Sequence, residues 1–114
     1  MTKIPYKIKN KSGDIYTFAG YENGLPLYRC AGGLTHITEL DIKRHIVLEQ
    51  AAPKEDCKLI GEDGNIFNLM ALVSRAMRKN PYWTYRVDEM IERVKSSQDY
   101  YKALVILGEY VNIK

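Results

Sequence analysis

The sequence predicts an α+β fold: an N-terminal small curved antiparallel β-sheet or barrel, followed by a three-helix unit. Three observations carry this. Short β-branched and aromatic runs broken by Gly, Asn and Asp turns fill the first half. Stretches with apolar residues at i, i+3, i+4 and i+7 fill the second. The two kinds of element are segregated along the chain, which favours α+β over an alternating α/β arrangement.

In chain order, Ile4, Tyr6 and Ile8 alternate with polar residues and predict a first strand over Ile4 to Lys9. Asn10 to Asp14 is the hairpin loop to a second strand, from Ile15 to Gly20. Asn23-Gly24 favours positive φ and marks the next turn. Leu25 to Ala31 is a third strand, with Pro26 near its start, and Gly32-Gly33 turns the chain into a short fourth, Leu34 to Thr38. Thr38 with Asp41 resembles a capping box and predicts a single helical turn. His45 to Glu49 closes this half with a β-branched run. The spacing suits a small barrel or a highly curved sheet. The first subdomain is expected over 1–50, a polar linker broken by Pro53 over 51–57, and a strand, a turn and three helices over 58–114.

Lys58 to Lys79 organises the second half. Lys58 to Gly61 is a short apolar run ending in Gly, and Glu62-Asp63-Gly64 ends extended structure. Asp63 or Asn65 can cap the helix that follows. Ile66, Leu69, Met70, Val73, Ala76 and Met77 form its apolar face, which Phe67 and Leu72 widen. Arg75, Arg78 and Lys79 sit in its last turn, at the negative end of the helix dipole, before Asn80-Pro81 stops it. An aromatic loop, Asn80 to Thr84, leads to a helix from Tyr85 to Lys95 with Val87, Met90, Ile91 and Val94 on one face. After Ser96-Ser97, a third helix carries Tyr100, Tyr101, Leu104, Leu107, Tyr110 and Val111.

At 114 residues the chain suits one domain or two very small ones, and 46% hydrophobic with 27% charged residues is ordinary for a folded soluble protein. The net charge of +3 is spread among interspersed acids and bases, which argues against strong non-specific nucleic-acid binding. No apolar run reaches membrane-spanning length and no signal-peptide pattern follows Met1, so no membrane partner is expected and the cytoplasm is the expected compartment. There, Cys30 and Cys57 stay reduced, and the Asn10-Lys11-Ser12 glycosylation match is chance.

No phosphate loop, zinc signature, dinucleotide fingerprint or nucleophile elbow occurs, so no cofactor is expected. Cys30, His36, His45 and Cys57 match no metal spacing, and ordinary structural roles outweigh both a metal site and a Cys–His nucleophile. Glu62-Asp63 reads as capping and dipole complementarity at a helix start. Two basic features are weighed further. Lys3, Lys7, Lys9 and Lys11 alternate along the first strand, either as a lysine-protected sheet edge or as a stripe that tracks phosphates. Arg75, Arg78 and Lys79 beside Tyr82 and Trp83 are either helix-end cations or a partner-binding patch, because Trp, Tyr and Arg dominate binding hot spots. Trp83 itself either plugs the helical core or, in a loop with Tyr82 and Arg78, is partly exposed and meets a partner.

Leu59 to Ile113 resembles a segment of short uncharacterised proteins of phages and integrative conjugative elements in Gram-positive gut bacteria. Gly61 to Met70, Ser96-Ser97, Tyr100, Ala103-Leu104 and Gly108 to Val111 carry the resemblance, which covers about half the chain. It brings no catalytic residues. The Pro81-Tyr82-Trp83 loop departs from the pattern as an insertion-like feature. The resemblance implies a non-enzymatic mobile-element protein in a bacterial cytoplasm that binds, and thereby inhibits, a host or defence protein. A CRISPR nuclease complex is one such target, which would make the chain an anti-CRISPR protein. The alternatives are a small nucleic-acid-binding regulator acting through the lysine strand and a small enzyme using Cys30 or Cys57 with a histidine.

Overall fold

Strands β2 (Ile15–Glu22) and β3 (Leu25–Cys30) meet at a two-residue turn in which Asn23 and Gly24 both take positive φ, 52° and 79°. That geometry matches strand twist, and Asn-Gly is the pair that tolerates it. The computed structural model, which describes residues 4–114, divides the chain into two units, Met1–Ala52 and Pro53–Lys114.

The first unit is an antiparallel sheet. With β1 (Lys7–Lys9), β4 (Gly33–His36) and β5 (Ile46–Glu49), its order is β4-β3-β2-β1-β5. The sheet is open: β4 and β5 are its edges, and the barrel alternative does not form. Its strands are three to eight residues long, and among the described residues no pairing joins β4 to β5. The β1–β2 loop is locked by Asn10, whose Oδ1 accepts from Asp14 N at 2.8 Å and whose own N–H donates to Asp14 O at 3.0 Å. The helical turn α1 (Glu39–Ile42) starts as the capping pattern predicts, with Thr38 Oγ1 accepting from Asp41 N at 3.2 Å. Ile4, Ile8, Phe18, Tyr28, Ile37 and Ile42 form the core of the unit. The Tyr28 hydroxyl, buried there, donates to Pro5 O at 2.6 Å.

The second unit contains α2 (Ile66–Met77), α3 (Pro81–Thr84), α4 (Val87–Ser97) and α5 (Tyr100–Tyr110). Asn65 caps α2 by accepting from Phe67 N at 2.9 Å, and Asp99 caps α5 by accepting from Lys102 N at 3.1 Å. Gln98 ends α4 in the left-handed conformation, φ 52°. Several elements differ from the sequence expectation: Lys58 to Gly61 runs into a turn instead of forming a strand, and Pro81–Thr84 is a turn of helix rather than a loop. Glu55–Cys57, expected within a linker, is strand β6, and Val111–Ile113, expected at the end of the last helix, is strand β7. The two pair in parallel, Asp56 beside Asn112, and Lys114 O accepts from Leu59 N and Ile60 N at 2.9 and 3.0 Å. Strands of three residues carry no periodicity to read, and these are partners more than fifty residues apart. The result is a helical layer closed by a short ribbon. Among the described residues, no helix is long and apolar enough to cross a membrane.

Candidate functional site: an aromatic face on the helical unit

The residues expected to form a partner-binding patch are not brought together at the surface. Trp83 is only 6% exposed. Its Nε1–H donates to Pro53 O at 3.0 Å, and its ring meets Tyr82 and Tyr110 edge-on at 4.9 and 6.2 Å. Tyr82 is equally buried, and the Arg86 guanidinium lies 4.6 Å from its ring centroid. Burial pushes the Tyr82 hydroxyl pKa up, against the opposing pull of Arg86. The correction has a local cause. Asn80 accepts from Tyr82 N at 2.9 Å and Pro81 occupies the first helical position, so Pro81–Thr84 is a capped turn of helix rather than a presenting loop. That turn rolls both rings inward. Arg75, Arg78 and Lys79 stay exposed at the end of α2, without the aromatic partners a hot spot needs.

The lysine stripe is also altered. Lys3 lies outside the described residues. Strand β1 lies between β2 and β5, so its lysines guard no edge. Lys7 and Lys9 flank the fully buried Ile8, and Lys7 Nζ pairs with Glu49 Oε2 at 3.3 Å on the neighbouring strand. Lys11 is exposed in the β1–β2 loop. Cross-strand pairing engages the charge of Lys7 alone in this stripe. Burial pushes the Cys57 thiol pKa up, and Cys30 Sγ–H donates to Gly33 O at 3.4 Å.

A polar network that sequence reasoning missed joins α4 to α5. Arg93 binds Glu109 through two parallel hydrogen bonds, 3.1 and 2.9 Å, and donates to the Tyr110 hydroxyl at 3.1 Å. That hydroxyl donates to Glu89 Oε2 at 2.6 Å. Burial, then the bond to Glu89, raises the Tyr110 pKa. The hydrogen bonds to Glu109 and Tyr110 raise that of Arg93. Each charge here is answered by a neighbour, so the network ties α4 to α5.

The helical unit also exposes large apolar side chains. Phe67 in the first turn of α2 is 67% exposed, and on α5 Tyr101 and Val105 are 79% and 68% exposed. Between α2 and the α4–α5 junction lies a groove of about 330 Å³, lined by Ile66, Phe67, Met70, Val94, Tyr100 and Ala103 among others. Tyr100 forms one wall. Its hydroxyl donates to Gly64 O at 2.8 Å, and its ring packs edge-on to Tyr101 at 6.0 Å. A second depression beyond Tyr101 is lined by Ser97, Tyr101, Val105 and Ile106. Phe67, Tyr100, Tyr101 and Val105 therefore form one aromatic and aliphatic face running from the start of α2 along α5.

The local reason lies in the composition of α5. Tyr100 to Tyr110 reads YYKALVILGEY, apolar around most of the helix. Ala103, Leu107 and Tyr110 are buried and Leu104 and Ile106 half-buried, which leaves Tyr100, Tyr101 and Val105 facing outward. The sequence held this signal, because a helix apolar on every side needs a second neighbour. Phe67 reads as a widening of the apolar face of α2 and Tyr100 and Tyr101 as part of the third helix, while Val105 is not singled out. No protein-family model, curated protein or solved structure matches the chain.

Proposed function

We propose that this chain is a non-enzymatic binding protein of a mobile element that attaches to a host or defence protein through the face formed by Phe67, Tyr100, Tyr101 and Val105. One observation carries the reading: the face is contiguous, apolar, rich in Tyr and Phe, and built on capped helices. Aromatic anchors on a rigid scaffold are the usual core of a protein–protein contact, since they bury much area for little ordering entropy. The groove beside Tyr100 is of a size to accept one large side chain of the target. Inhibition would follow by occlusion of the surface covered. The likeness of the helical half to phage and conjugative-element proteins supports a defence protein, such as a CRISPR nuclease complex, as the target.

The test is paired capture from a Gram-positive lysate with the wild-type chain and the Phe67→Ser/Tyr101→Ser variant, followed by titration of the captured protein. The double variant should bind at least about thirtyfold more weakly, the equivalent of about 2 kcal/mol. It should melt close to the wild type, because both side chains are exposed. Equal capture by both chains would overturn the assignment of the face. Where the captured protein is a nuclease complex, loss of DNA cleavage on adding the wild-type chain completes the test for inhibition.

A further inference from the structure

We propose that the sheet unit binds a phosphoryl group in a depression between the core side of its sheet and the turn that follows α1, with Arg44 as the anchor. The site is independent of the helical face. Tyr16 lies opposite Ile8 and Thr35 opposite Tyr28, and directly opposed residues share a face, so both stand on the side of the sheet that carries the core. The segment from Ile37 to Ile42 covers that side, since both of these residues belong to the core. The chain then turns through Arg44 and His45, whose backbone N–H groups donate to Asp41 O and Ile42 O, each at 3.0 Å. Beside this turn lies a depression of about 280 Å³, lined by Tyr16, Thr35, His36, Asp41, Arg44 and His45 among others.

The lining groups are chiefly donors. Arg44 offers a guanidinium fork that pairs with no acid among the described residues. His45 Nδ1 lies 2.6 Å from Asp41 O, and a carbonyl only accepts, so Nδ1 carries the proton and Nε2 is the nitrogen left for a ligand. The Tyr16 ring packs edge-on to this imidazole at 5.7 Å. The Tyr16 hydroxyl accepts from Asn10 Nδ2–H at 3.3 Å, which leaves its own proton to donate. Thr35 adds a second hydroxyl. His36 is already engaged, with Nε2 3.5 Å from Glu22 Oε1. His36, Asp41 and His45 are not gathered as ligands of one metal ion, and no such group of three occurs among the described residues. A guanidinium, an imidazole and two hydroxyls select an oxyanion, because Arg forks onto two of its oxygens and hydroxyls answer the others. These donors come from β2, β4 and the turn, so they suit the three oxygens of a phosphoryl group better than the flat pair of a carboxylate. Asp41 is the one acid among the lining residues, and it opposes the anion. Affinity is therefore set by the balance of Arg44 against Asp41.

The experiment titrates the full chain with inorganic phosphate, phenyl phosphate and acetate, at an ionic strength held constant with sodium chloride, and follows amide and imidazole signals by NMR. With phosphate, the signals of Thr35, Arg44 and His45 should shift together and saturate. Those of Arg29, an exposed cation of β3, should drift without saturating. Arg44→Gln should weaken binding at least about tenfold. Asp41→Asn should tighten it about threefold by removing the opposing charge, while the backbone N–H of residue 41 keeps its bond to Thr38 Oγ1. His45→Phe keeps a ring beside Tyr16 but removes the nitrogen, and should weaken binding by less than Arg44→Gln. Tighter binding of phenyl phosphate than of inorganic phosphate assigns the site to a phosphate monoester, and equal binding assigns it to the free ion. Both outcomes support the site. The wild-type shift map stands even if a variant folds poorly. Four results would overturn the proposal: no saturating shift at Arg44 and His45, equal affinity in Arg44→Gln, weaker binding in Asp41→Asn, or acetate bound as tightly as phosphate.

Discussion

The sheet unit and the helical unit solve the same problem differently. The sheet unit buries a compact group, Ile4, Ile8, Phe18, Tyr28, Ile37 and Ile42, and leaves the apolar strand β5 at an open edge. The helical unit buries three aromatics packed edge to face, Tyr82, Trp83 and Tyr110, together with the inner faces of α2, α4 and α5, and leaves an outer face of α5 uncovered. Both units therefore carry surplus apolar surface, of different kinds. An open edge asks for backbone hydrogen bonds and so for a strand, whereas a helix face asks for side-chain anchors and accepts many shapes.

The sharpest way to break this comparison is at Trp83. Trp83→Ala should cost about 3–5 kcal/mol in the helical unit, through cavity formation and the lost bond to Pro53 O. Helical circular dichroism against urea would reveal it, and a change under about 1 kcal/mol would return Trp83 to the surface. The corresponding site in the sheet unit is Tyr28. Tyr28→Phe removes the donor to Pro5 O and should cost about 1–3 kcal/mol, because the carbonyl is left without its partner.

A pH experiment compares the two units in one titration. Burial raises the pKa of Tyr28 in one unit and of Tyr82 and Tyr110 in the other. Above about pH 10 the unfolded chain releases these protons while the folded chain keeps them, so the unfolded state binds fewer protons and stability falls as pH rises. Below that range the three hydroxyls contribute no pH dependence. Urea midpoints between neutral and alkaline pH should fall, and Tyr28→Phe should flatten the decline. A midpoint constant well above pH 10 would contradict the burial of these rings.

The smallest effect is expected at the Arg93–Glu109 pair. Its side chains are 41% and 50% exposed, so despite the two-pronged geometry a double-mutant cycle should give no more than about 1 kcal/mol, reduced by salt. A larger coupling would mean that the contact with Tyr110 makes the network act as one unit.

Much of the fold was legible because its signals are local. Asn23-Gly24 specifies a hairpin turn through positive φ, Thr38 and Asn65 supply caps, and the apolar spacing of α2 identifies its buried face. The site was far less legible. Trp83 and Tyr82 stood in what reads as an exposed connection, and their inward turn depends on the cap at Asn80 and on Pro53, thirty residues away. Phe67 and Tyr100 read as core because they fall beside apolar faces, and only the packing decided which sides of α2 and α5 found neighbours.

The sequence by itself determined the α+β class, the segregation of strands from helices, the Asn23-Gly24 turn and the caps at Thr38 and Asn65. Each depends on a few adjacent residues whose backbone preferences and hydrogen bonds need no distant partner. The tertiary structure alone decided that β1 lies inside the sheet and β5 at its edge, that β6 and β7 pair across more than fifty residues, and that the aromatic loop is buried while an aromatic face is not. Those outcomes turn on which surfaces meet, and a periodic apolar pattern states that a face must be covered without stating by what.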